Sequence, residues 1–147
     1  MDASTPSNSA MDVVRKKIEV DYHEFRQAAK NWSGLYNLFQ YGSAGLTAAG
    51  ALALKTGLFP EVATRNDVGA ALAAIATLSI TVLTTGRFKD KWEANRIAAF
   101  AVRDLGYEIE KTDAKPDDIL ASLQRIGLTR NNVIVGLTPP TDMRPKP

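Results

Sequence analysis

The sequence predicts an all-α membrane protein: a hairpin of two transmembrane helices with amphipathic cytoplasmic helices before and after it. A small C-terminal helix and a short strand follow. Three observations carry that class. Residues 31–54 and 68–86 contain no Asp, Glu, Lys, Arg or His, although 23% of the chain is charged. At about 1.5 Å per residue, each run makes a helix close to the ~30 Å of a hydrocarbon core. Basic residues also bracket both runs.

The rival is a buried hairpin in a soluble helical bundle. The second run supports it, being rich in Gly, Ala, Ser and Thr beside Val68, Leu72, Ile75, Leu78, Ile80, Val82 and Leu83. Whole-chain mean hydropathy also resembles a soluble protein, because polar ends dilute two concentrated runs. Length and bracketing favour the membrane.

In chain order, residues 1–11 are polar and read as a disordered tail, with no apolar run of a signal peptide behind them. Residues 12–111 form the two-span domain, with spans at about 35–54 and 68–86. Before the first span, Val14, Ile18, Tyr22, Phe25, Ala29 and Trp32 recur every three or four residues, the period of an amphipathic helix. Trp32 and Tyr36 stand where aromatic rings favour the headgroup boundary. Ser33-Gly34 is a possible bend. The link at 55–67 carries Gly57, Pro60 and mixed charge, and reads as a turn outside the bilayer.

Arg15, Lys16, Lys17, Arg26 and Lys30 precede the spans and Arg87, Lys89, Lys91, Arg96 and Arg103 follow them, against Lys55 and Arg65 in the link. That asymmetry puts both termini in the cytoplasm of a multi-pass membrane protein. A second amphipathic helix is predicted over 87–111. Lys115-Pro116 then breaks the chain, and Asp117 caps a short helix to about Ile126, ended by Gly127. Asn131-Asn132 reads as a turn before a strand at 133–135, within a small cytoplasmic element at 117–137. Residues 138–147 are Pro-rich and read as disordered.

On a wheel of about 100° per residue, Asn37, Gln40, Ala44 and Thr47 fall on one stripe of the first span. Thr77, Thr81 and Thr84 fall on one half of the second, opposite its larger apolar residues. Small residues let helices approach in lipid, and amides and hydroxyls hydrogen-bond between them. The stripes are therefore either a packing face or the lining of an aqueous path in a homo-oligomer. A single hairpin encloses no channel.

Enzyme chemistry finds no support. Residues 45–50 have the glycine spacing of a phosphate loop, but Ala51-Leu52 replaces the required Lys and Ser/Thr. His23, beside Tyr22 and Glu24, reads as a solvated surface residue. Asp117-Asp118 reads as a helix start. The absence of cysteine excludes disulfides, thiol nucleophiles and cysteine metal sites. A net charge of +2 argues against a general nucleic-acid binder. No cofactor and no metal is expected.

Just after the second run stands Arg87-Phe88-Lys89-Asp90-Lys91-Trp92-Glu93-Ala94-Asn95-Arg96. With two spans ahead of it, this Phe88, Trp92, Arg96 spacing resembles the SLATT family, two-transmembrane effector domains of bacterial nucleotide-linked defence systems. The likeness covers about residues 13–111. It implies a pore-forming or membrane-disrupting effector of the bacterial inner membrane, switched by a separate nucleotidyltransferase or nucleotide-sensor partner. Phe88, Trp92 and Arg96 would anchor the control helix. The alternative is a non-conducting scaffold that recruits a cytoplasmic partner, with the strand at 133–135 joining the partner's sheet.

Overall fold

In a computed structural model the described residues are 6–56, 59–111 and 114–139. They form four helices and no strand: α1 (Pro6–Lys55), α2 (Val62–Thr85), α3 (Phe88–Glu108) and α4 (Pro116–Val135). The chain divides into two compact units. Met1–Asn31 and Asp90–Pro147 make one, and Trp32–Lys89 makes the other.

α1 is one helix of 50 residues. Ser33-Gly34 does not interrupt it, and its first turns occupy residues 6–11 of the expected disordered tail. Residues 1–5 and 140–147, the remainder of the two expected tails, lie outside the described residues. α1 stops where Thr56 donates both its backbone N–H and its hydroxyl to the Leu52 carbonyl. The loop after it is shorter than the sequence suggests, because helix resumes at Val62. Arg65 helps close that loop by donating from Nη2 to the Phe59 carbonyl at 3.0 Å.

α2 and α3 meet at Gly86-Arg87. Gly86 is itself right-handed, and the left-handed residue is Arg87 at φ 49°. A side chain in that region costs roughly 1–2 kcal/mol. Gly86 is needed for space instead: a Cβ there would lie 2.6 Å from the Phe88 ring and 2.7 Å from the Val82 carbonyl.

The first unit is a three-helix core. α1 contributes Val14, Ile18 and Phe25, with Met11 and Tyr22 at its margin. α3 contributes Ala98, Ala99, Val102 and Leu105, and α4 contributes Ile119 and Leu123. The alanines matter for shape, since Ala94 and Ala98 are fully buried and let neighbouring backbones come close. Each fully buried Val, Leu, Ile or Phe adds about 1.5–3 kcal/mol.

α4 corrects the sequence reading in three ways. Its N-cap is Lys115, with Pro116 in the first turn followed by Asp117 and Asp118, so the acidic pair faces the positive end of the helix rather than capping it. The helix runs through Gly127, where a Cβ would meet nothing within 4 Å. Residues 133–135 are its last turn, not a strand. β-branched residues favour strands only weakly, and Val133 is wholly buried on the helical face. The end is a Schellman motif: Gly136, at φ 87°, donates to Val133 and Leu137 donates to Asn132.

Continuing α4 brings Arg130 to Asn95, which is fully buried on α3. Arg130 Nε donates to Asn95 Oδ1 at 2.8 Å, and Asn95 Nδ2 donates to the Lys91 carbonyl at 2.7 Å. The guanidinium also lies 4.4 Å over the Phe25 ring, so one side chain joins all three helices. Burial pushes the Arg130 guanidinium below its ordinary value, while Glu24 and then Asp21 pull it back up. Asn95→Leu is expected to cost about 1.5–3 kcal/mol, the range for a hydrogen bond to a charged group. Thermal unfolding followed by circular dichroism checks it, and an unchanged midpoint contradicts it.

Candidate membrane hairpin

The second unit pairs the C-terminal part of α1 with α2. Trp32, Tyr36, Phe39, Ser43, Leu46, Gly50 and Ala53 are buried or half-buried at alternating spacings of four and three. α2 answers with Arg65, Gly69, Leu72, Ala76, Ser79 and Leu83 at the same spacings. That is the seam of an antiparallel coiled-coil pair. Its most buried members are small: Ser43, Gly50, Ala53, Gly69 and Ala76.

Close approach explains the glycines. A Cβ on Gly50 would sit 3.5 Å from Leu72 Cβ and 3.6 Å from the Gly69 carbonyl. On Gly69 it would fall 2.9 Å from Leu54 Cγ and Cδ2. Gly50→Val, whose branches would press on Leu72 and the Gly69 carbonyl, is expected to part the seam and cost about 1–3 kcal/mol, the usual penalty for overpacking. An engineered disulfide pair across the seam, formed in the parent and lost in Gly50→Val, would report that separation.

The outer surface carries many large apolar residues. Leu38 is 66% exposed, Leu78 65% and Leu52 59%, and Leu35, Ile75, Ile80 and Val82 are also exposed. Among the described residues, only α2 is both long and apolar enough to cross a membrane, and just 11% of its most apolar window is buried. The first expected span is therefore not matched on composition. Asn37, Gln40, Tyr41, Gly42, Ser43 and Gly45 dilute that part of α1.

Asn37, Gln40, Ala44 and Thr47 are all exposed, rotated beside the seam rather than placed in it. Thr77, Thr81 and Thr84 are likewise exposed on α2. In an antiparallel pair, flanks with the same sense of rotation from the seam share one side. Both stripes have that sense, so both lie on one side of the hairpin. A groove of about 300 Å³ brings Thr47 and Thr77 of the two stripes together, with Leu54 and Ile80 also on its walls and Gly50, Gly69 and Ala76 beneath them.

The hydroxyls on this side are already satisfied. Thr47 donates to the Ser43 carbonyl, Thr77 to Ala73, Thr81 to Thr77, and Thr84 to Ile80 and Thr81, at 2.9–3.0 Å. Asn37 and Gln40 are different. Their amides project outward, and no hydrogen bond among the described residues engages them.

Of the expected anchor trio, Phe88 belongs to the hairpin unit. It stacks on Phe39 at 5.6 Å and lies 5.7 Å from Trp32. Trp92 and Arg96 belong to the first unit, where the Arg96 guanidinium rests 5.6 Å over the Trp92 ring. His23 is exposed and edge-on to Tyr22. Among the described residues no group of His, Asp and Glu is placed to hold a metal.

No family model, curated protein or solved structure matches the chain.

The seam itself went unread in the sequence. Leu46, Leu72 and Leu83 look like lipid-facing residues, and the recoverable signal was the glycine pair Gly50 and Gly69. The Asn95–Arg130 contact was also missed, because it depends on helix continuing past Gly127.

Proposed function

We propose that the chain is a small membrane effector whose Trp32–Lys89 hairpin inserts in a bilayer and whose copies assemble into a pore. The observation that carries this reading is the outward face of the hairpin, where Leu38, Leu52, Ile75 and Leu78 are exposed while the most buried seam residues are small. Lipid rewards that arrangement, since close backbone packing replaces the hydrophobic effect as the source of helix association. Water penalises it, because Leu, Ile and Val then face solvent.

α2 crosses the bilayer, and the second half of α1 crosses beside it with its small seam covered. Both termini face the cytoplasm, as the basic residues flanking the hairpin favour. Asn37, Gln40, Thr47, Thr77, Thr81 and Thr84 on one side supply a polar lining once several copies join. The resemblance to SLATT effectors adds a bacterial inner-membrane setting and a trigger from a separate nucleotide-signalling partner.

Dye release from vesicles reconstituted with purified protein tests this, with insertion checked in the same sample by carbonate extraction. Inserted protein that releases dye supports the pore. Inserted protein that stays silent with and without a nucleotide-signalling partner contradicts it.

A non-conducting scaffold is the second reading, and the satisfied threonine hydroxyls favour it. Hydroxyls bonded to their own helix need no water, so this side tolerates lipid. Recruitment would then fall to the three-helix unit, because residues 133–135 are helical and unavailable for strand addition.

A further inference from the structure

α3 buries one face in the first unit through Ala94, Asn95, Ala98, Ala99, Val102 and Leu105. Opposite that face, at spacings of four, four, three and four, stand Trp92, Arg96, Phe100, Arg103 and Tyr107. Phe100 is 45% exposed and Tyr107 63%. The guanidinium of Arg96 lies 5.6 Å over Trp92 and 5.8 Å from Phe100, and that of Arg103 lies 5.0 Å from Phe100. Cation and aromatic thus alternate along the outward side of the helix. None of the five belongs to the three-helix core; Arg96, Phe100, Arg103 and Tyr107 are exposed and Trp92 is half-buried.

We infer that this stripe docks α3 on a membrane surface carrying anionic phospholipid. Arginines take headgroup phosphates and the aromatic rings enter the headgroup boundary, the division of labour of an interfacial helix. Chain continuity selects lipid over other anionic partners. α3 starts after the two-residue turn that ends α2, the helix long and apolar enough to cross a membrane. A nucleic acid would find two arginines in the stripe and a chain of net charge +2, which is little counter-charge for a polyanion. The inference rests on the membrane reading of the hairpin and adds a lipid preference that the hairpin does not require.

The test uses the full chain with Trp32→Phe, which leaves Trp92 as the only tryptophan. It is reconstituted in phosphatidylcholine vesicles with or without phosphatidylglycerol, each containing a headgroup-proximal spin-labelled lipid. Trp92 quenching is expected to be at least about twofold stronger with phosphatidylglycerol, since each basic residue near an anionic surface adds attraction. The difference disappears in high salt, in Arg96→Glu/Arg103→Glu and in the milder Arg96→Gln/Arg103→Gln.

Equal quenching in both vesicle types overturns the inference, as does a Trp92 response to short duplex DNA that vesicles do not produce. Carbonate extraction of the same samples separates the two levels. Protein that resists extraction without lipid-dependent quenching removes the stripe's role and leaves the hairpin. Protein extracted from both vesicle types removes both.

Discussion

Val102→Asp is expected to unfold the first unit. Val102 is fully buried on α3 among Ile18, Phe25 and Ile119 of the same core. An ionised carboxylate among these apolar side chains carries an effective penalty of several kcal/mol. Total stabilities of domains are about 5–15 kcal/mol, so the substitution removes a large part of the margin. Limited proteolysis of the protein reconstituted in vesicles is the check. Cleavage should become rapid across 90–135, while residues 32–89 stay protected in vesicles. A variant as resistant as the parent contradicts the core assignment.

Asn37→Leu with Gln40→Leu is expected to abolish dye release, by at least about tenfold, while leaving the protein inserted. These amides are exposed on the hairpin's outer surface with no hydrogen bond among the described residues, unlike the back-bonded threonines beside them. A polar group in lipid without a partner costs several kcal/mol. The pair therefore faces water or another copy when the hairpin is in a bilayer. Replacing it with leucine removes the two amides from that side and should raise resistance to carbonate extraction. Full release from the double variant would place any conducting path elsewhere, and lost insertion would make the amides structural.

The helical class and the α1 core stripe were legible from periodicity. Val14, Ile18 and Phe25 repeat at helical spacing and are the residues buried. Helix ends were less legible, since local signals competed with tertiary contacts. Gly127 and Asn131-Asn132 read as breakers, yet Ile126 packs against the core and Arg130 reaches Phe25 of α1 and Asn95 of α3, which holds the helix together across them, and Val133 beyond is wholly buried. Gly136, the actual terminator, looked ordinary beside three β-branched residues. In the hairpin, composition told that small and large residues separate, but not which small residues meet. Thr47 and Thr77 share a side with the seam glycines, and only backbone distances of the kind at Gly50 and Gly69 distinguish a seam from its flank.

The central claim is that the hairpin turns its large apolar residues to lipid. The chain has no cysteine, so single-cysteine variants can be spin-labelled along 35–54 and 68–85 and reconstituted in vesicles. Collision with oxygen, which concentrates in lipid, is compared with collision with a water-soluble nickel complex. Oxygen accessibility should peak at Leu38, Ile75, Leu78 and Val82 with helical period, fall at Ser43, Gly50 and Ala76 in the seam, and give way to nickel accessibility or mutual shielding at Asn37, Gln40 and Thr81. Uniform nickel accessibility at Leu38, Ile75 and Leu78 would contradict it and make the hairpin part of a water-soluble helical protein.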